Sequence, residues 1–253
     1  MAQPRPQFYD VGGGVEVGLR QWWFEAPVAQ KRGAADRSGL RVWPSALLVL
    51  KHVHDRVLPA VATAARRSSG RAARIVELGS GCGLVGLGLA AKNAEALVVL
   101  TDPQVATQLS ADAETDTLAF LRRNVELNGL GNSSAEKLLW GRKDAAAFRD
   151  AFGPFDLVVG SDLLYAPDHY GALLETMLEL KAPVVLGYQS RPRPREAWHE
   201  TPSDARRRHR HAGEQRFLDL ASKHFEAETT PLARNDDDAT TSPFLVTHFS
   251  ERR

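Results

Sequence analysis

Asp162 and Tyr165 stand three apart in GSDLLYAPD, residues 160–168, where the apolar run FDLVV gives out. A carboxylate attracts and orients a cation, and a phenol can pack along an alkyl stem or offer its hydroxyl. Such groups matter most at the carboxyl end of a strand in an open parallel sheet, because ligands gather in the crevice there. Bland alternatives are an N-cap for Asp162 and a packing aromatic for Tyr165. A second constellation lies upstream in IVELGSGCGLVGLGLA, residues 75–90, where Gly79, Gly81 and Gly83 follow an apolar strand and open a helix. Glycine serves where a tight turn takes unusual dihedrals, and where a ligand must meet backbone with no Cβ between. The segment GCGLVG also satisfies the dinucleotide pattern, so this motif alone leaves a nicotinamide or flavin in competition. Two carboxylates shift the weight. Glu77, two residues before the first glycine, can hold an ammonium group, and Asp102, closing LVVLTD, can accept both hydroxyls of a ribose. A ligand carrying both a ribose and an amino-acid ammonium is S-adenosylmethionine.

These residues need elements to hold them. From residue 74 the chain alternates: RIVEL, the glycine turn into LVGLGLAAKN, ALVVLTD, a helix TLAFLRRNVELNGL, AEKLLW, FDLVVGSD, a helix HYGALLETMLEL, and APVVLGY. Strands separated by helices of about 10–15 residues predict an α/β fold with a doubly wound, mostly parallel sheet. At the end, FLDLASKHFEAET and SPFLVTHFS read as a helix and two strands, which would set one antiparallel strand at the sheet edge. Ahead of the sheet, apolar residues alternate around Gly12 to Gly14 as in a β-hairpin within residues 8–24. Residues 28–39 read as a loop. A helix begins after Trp43, with Pro44 near its first turn and Ser45 close by. This organisation places an N-terminal hairpin and loop at 1–42 and one catalytic domain at 43–253.

Taken together, VELGSGCGLVGLGLA, the upstream LRVWPSALLVLKH, LTD, NVELNG, LLWG and SDLLY resemble methyltransferase family 16 over roughly residues 15–190. These are seven-strand class I methyltransferases with a Rossmann-like fold, best known as protein-lysine methyltransferases with a D-x-x-Y motif. The resemblance implies that Glu77, Gly79, Gly81 and Gly83, with Ser80 among them, line the methionine end of S-adenosylmethionine. It further implies that Asp102 holds the ribose, Trp140 lies along the adenine, Trp43 covers the site, and Ser161 with Asp162 borders the reacting methyl. A core position is the bland alternative for both tryptophans. Asp162 and Tyr165 become the catalytic candidates, and the substrate becomes a protein with an exposed lysine, with another protein side chain, a nucleic-acid base amine, or a noncatalytic cofactor-binding scaffold as the alternatives.

Composition narrows the partners. The 253 residues carry 32 basic against 31 acidic side chains, a formal charge of +1, so no global field grips nucleic acid or an anionic membrane. Residues 191–216 are the exception, with eight arginines and three histidines against four acidic residues. A solvated insertion is the first reading of such a run, an acidic protein surface around the target lysine the second, and RNA the third. Nucleic acid is disfavoured further because SDLLY stands where base-amine methyltransferases carry an Asn/Asp-Pro-Pro-aromatic signature. Cys82 is the sole cysteine, which excludes an internal disulfide and a Cys-rich zinc site, and Asp236, Asp237 and Asp238 read as a solvated loop. The scattered histidines lack metal-ligand spacing. No stretch approaches about 18 apolar residues and the first residues show no leader pattern. A monomer in the cytoplasm, or also in the nucleus, is the expectation.

Overall fold

The computed structural model describes residues 6–21, 38–103, 116–190, 213–232 and 244–252. Strands β1 (Gln7–Asp10) and β2 (Glu16–Leu19) pair antiparallel as the expected hairpin, turning through Gly12, Gly13 and Gly14, all at positive φ. The remaining strands form one sheet: β3 (Arg74–Leu78), β4 (Leu97–Asp102), β5 (Ser133–Lys137), β6 (Leu157–Ser161), β7 (Val184–Gln189), β8 (Phe225–Pro231) and β9 (Phe244–Glu251). Their order is β5-β4-β3-β6-β7-β9-β8, parallel from β5 to β7. This is the seven-stranded, mostly parallel sheet read from the alternation of strands and helices. One detail of the end differs. The antiparallel strand is β9, which lies one place inside the edge, and β8 forms the edge itself.

Alternate residues of each strand face opposite layers, so one strand feeds two cores. Ile75, Leu100, Val159 and Val185 pack with the helices α1 (Ala46–His52), α3 (Leu84–Lys92) and α4 (Thr117–Asn128). Val76, Val99, Val158 and Leu186 pack on the other face with α5 (Arg142–Phe152), α6 (Tyr170–Leu180) and α7 (Gly213–Ala221). A π-helical turn, Val53–Val57, joins α1 to α2 (Leu58–Ser69), which lets Pro59 enter within the first turn of a new helix rather than inside an old one.

Helix α1 lies unusually close to its neighbours because they offer glycine. A Cβ at Gly187 of β7 would overlap Val49, and a Cβ at Gly88 of α3 would overlap Leu50. The motif NVELNG also finds its purpose here. Asn128 donates to the Gly18 carbonyl at 2.7 Å and accepts from the Gly18 amide at 2.9 Å. Asn124, fully buried one turn earlier, accepts from the Arg20 amide at 2.9 Å and donates to the carbonyls of Arg20 and Cys82. Two asparagines four apart on one helix face thus satisfy the outer edge of β2 as a neighbouring strand would, and tie the hairpin to the glycine turn.

Two elements depart from expectation. Helix α5 went unread: apart from two phenylalanines the apolar residues of RKDAAAFRDAF are all alanines, although Ala145 and Phe148 are buried. Strand β5 is SSAEK rather than AEKLLW: the polar edge segment pairs with β4, and Leu138 to Trp140 leave the sheet toward the site. Most of the arginine-rich stretch, His209, His211 and Asp236 to Asp238 lie outside the described residues.

Candidate active site

The carboxyl ends of β3, β4 and β6 open into a cavity of about 660 Å³. Its walls include Trp43, Glu77, Gly79, Ser80, Gly81, Gly83, Asp102, Trp140, Ser161, Asp162 and Tyr165, so the fold gathers every sequence-derived candidate into one place.

The floor is the turn after β3. Gly79, Gly81 and Gly83 have φ of 57°, 53° and 89°, a region that a side chain makes costly. A Cβ on Gly79 would sit 2.7 Å from Leu163, and one on Gly83 would sit 2.7 Å from Leu121. A Cβ on Gly81 would meet the Gly39 carbonyl at 2.9 Å. Close approach of protein to protein, together with the dihedrals, therefore accounts for these glycines. The Ser80 hydroxyl is held inside the turn, accepting from the Thr101 amide at 3.1 Å and donating to the Glu77 carbonyl at 3.3 Å.

Two buried carboxylates brace this turn. Glu77 is 2% exposed, and its Oε2 accepts from the Gly86 amide at 2.9 Å in the first turn of α3, where helix amides favour negative charge. Asp102 is also buried, and its Oδ2 accepts from the Gly81 amide at 2.9 Å. Burial pushes the Glu77 carboxyl up to about 8 and outweighs the opposing hydrogen bonds from Ser80 and Gly86, while Asp102 adds a further push upward. An acid so placed is poised to take a ligand cation. The turn and its two carboxylates fit a molecule with an ammonium group and a ribose.

The upper wall is built by three chain segments. Trp43 lies beside the start of α1, with the Arg41 guanidinium 4.5 Å above its ring. Trp140 stands where the chain leaves β5, close to Gly79. At the end of β6, Asp162 takes φ 57°, a left-handed conformation that asparagine and aspartate tolerate better than most residues. No helix starts at Asp162, so the N-cap alternative does not describe it. Its amide donates to the Gly187 carbonyl of β7 at 2.8 Å, and its Oδ1 accepts from the Gln189 amide at 3.3 Å. Its Oδ2 accepts from the Ser45 hydroxyl. Tyr165 is 44% exposed at the rim, and His169 is exposed there too and borders the cavity.

Sequence reasoning missed Ser45, because a serine just before a helix reads as its cap. Arg41 and Asp144 also line the cavity without having been singled out. Among the described residues no cluster of three or more His, Cys, Asp or Glu side chains could hold a metal ion, and no helix is long and apolar enough to cross a membrane.

The strand order, with its one antiparallel member, and a glycine turn between two buried carboxylates define a class I methyltransferase. A model of the family described as lysine methyltransferase matches residues 27–223, and the chain belongs to that family. The methyl donor that goes with this family and fold is S-adenosylmethionine. The chain is 34% identical to mouse protein N-lysine methyltransferase METTL21A over 113 residues, 42% of this chain and 44% of that protein. It is 26% identical to mouse EEF1A lysine methyltransferase 3 over 224 residues, 88% of this chain and 78% of that one. The solved N-terminal domain of human METTL16, in complex with SAH, matches with a TM-score of 0.51 at 12% identity, over 84% of this chain and 74% of that domain. The first three curated relatives are spanned over 33%, 44% and 36% of their lengths.

Proposed function

We propose that this chain transfers a methyl group from S-adenosylmethionine to the side-chain amine of a lysine in another protein. One observation carries the reading. A buried turn suited to an ammonium and a ribose opens into the same cavity as Asp162 and Tyr165, in a chain of the lysine methyltransferase family. The names of the relatives METTL21A and EEF1A lysine methyltransferase 3 support a lysine acceptor, and the SAH-bound structural relative supports the cofactor.

When bound, S-adenosylmethionine supplies a methyl on a positively charged sulfur, and transfer breaks the carbon–sulfur bond as the amine nitrogen forms a carbon–nitrogen bond. The work left to the protein is positioning. Glu77 would hold the ammonium group, Asp102 the ribose, and Gly79, Ser80, Gly81 and Gly83 would present the turn to it, while Trp43 and Trp140 would exclude water from the two sides. An exposed lysine has a pKa near 10.4, so presenting it neutral at pH 7.4 costs about 4 kcal/mol. A carboxylate beside the amine opposes that neutralisation. Asp162 therefore acts as an anchor rather than a strong base: it draws in the ammonium group and orients it, and the proton leaves through water before transfer. Tyr165, at the rim, would pack along the methylene stem, and Ser161 would border the reacting methyl.

The substrate is a protein with an exposed lysine, and the basic 191–216 segment supports acidic residues around it. We read the chain as a monomer acting in the cytoplasm or nucleus, in keeping with its single, buried cysteine. The test incubates the purified protein with methyl-tritiated S-adenosylmethionine and a cell extract. Label sensitive to protease is the expected result, and label sensitive to nuclease would replace the acceptor with a base amine.

A further inference from the structure

We propose that Ser45 is a positioning residue for Asp162; this deepens the methyl-transfer reading and rests on it. Ser45 immediately precedes α1, the place where a serine ordinarily turns its oxygen to a helix amide and contributes about 1 kcal/mol as a cap. Here it makes no such bond. The side chain is fully buried and points the other way, to the Ser161 hydroxyl at 2.7 Å and to Oδ2 of Asp162. Giving up a cap to reach another element is expected of a group whose value lies at that element.

The proton count fixes the direction. A serine hydroxyl has one proton, and an ionised carboxylate only accepts. Ser45 therefore donates to Asp162, which leaves Ser161 to donate to Ser45. The result is a directed chain from Ser161 at the end of β6, through Ser45 just before α1, to the carboxylate. With the Gln189 amide on Oδ1 and the Ser45 hydroxyl on Oδ2, Asp162 is held from β7 and from α1 at once. Two donors from different elements fix the plane of the carboxylate, and that plane decides where the lysine nitrogen sits relative to the methyl. Misplacement of about 1 Å costs on the order of a hundredfold in rate.

Ser45→Ala removes the donor and keeps the packing volume. It is expected to lower kcat about 10- to 100-fold while the affinity for S-adenosylmethionine stays within about threefold, and Ser45→Thr, which keeps a hydroxyl, should recover part of the loss. In an Asp162→Ala background, Ser45→Ala should have no further effect on kcat. A merely structural serine predicts instead an activity loss in proportion to the unfolded fraction, or an effect additive with Asp162→Ala, and either result overturns the proposal. The ¹³C resonance of the Asp162 carboxyl gives a readout free of turnover, and it should move between wild type and Ser45→Ala at constant pH. An unmoved resonance overturns the contact. A wild type that moves no methyl but shows the resonance change would sink the methyl-transfer reading and leave the Ser45 to Asp162 bond standing.

Discussion

Burial beside Asp102 pushes the Glu77 carboxyl up to about 8, so near neutral pH the ligand-free protein keeps a proton there. An unfolded chain releases that proton near the ordinary value of 4.5. Between these limits the folded state binds more protons than the unfolded one, so Glu77 makes stability fall as pH rises from 4.5 to about 8, and above 8 the trend stops. Glu77→Gln should remove this slope and melt higher than wild type at pH 8, in thermal scans across the range. The same variant should bind S-adenosylmethionine about tenfold more weakly, a loss of about 1.4 kcal/mol, by calorimetry at pH 8. Wild-type affinity for the cofactor should rise up to about pH 8, since an arriving ammonium displaces the proton. At this scale the sequence was informative. Glu77 and the glycine turn are local in the chain, and Asp102, 21 residues from Gly81, is marked by its place at the end of the next strand. Ser45 was illegible because its partner Asp162 is 117 residues away, and nothing in WPSALL says that the hydroxyl turns from its own helix.

Among the elements, α1 is the one whose placement sets the site. It reaches β7 only because Gly187 leaves room for Val49, and it reaches α3 only because Gly88 leaves room for Leu50. Gly187→Ala forces α1 outward, and Ser45 with it. Overpacking of this kind costs about 1–3 kcal/mol, and the variant should also lose turnover beyond its loss of folded protein. Val49→Ala added to Gly187→Ala returns the space and should recover both properties in part, measured by urea unfolding and by initial rate. Recovery of stability without recovery of rate would dissociate α1 from Asp162. Element types were legible wherever apolar periodicity was strong, as in β3, β4, β6 and α6. They were missed in α5, whose core-facing side is mostly alanine and so of low overall hydropathy despite the contrast between its faces, and in β5, where the aliphatic LLW looked more strand-like than the polar SSAEK that pairs. Tertiary position overrides propensity at a sheet edge.

At the scale of the whole molecule, one contact joins the first helix of the α/β body to its last strand. His52 of α1 and His248 of β9 meet through their Nε2 atoms at 2.8 Å. Burial first, and then the charges of His248 and Arg56, lower His52 to about 4, and burial lowers His248. The unfolded chain binds these protons near 6.5, so the pair contributes stability that is present above 6.5 and is lost as pH falls toward 4. His52→Gln should flatten that part of the profile in urea titrations at pH 5 and 7.5. Glu77 acts in the opposite sense over an overlapping window, so each group shows in the difference between variant and wild type. The sheet order was legible as a class from the alternation of strands and helices, whereas the inward place of β9 depends on long-range pairing that no local signal carries. What the assembled molecule does is tested most directly by hydrolysing the tritiated protein product of wild type and of Asp162→Ala and separating its amino acids. The account predicts label in methylated lysine from wild type, at least about a hundredfold less from the variant, and cofactor affinity retained in both. Label in another residue, or equal label from the variant, would contradict it.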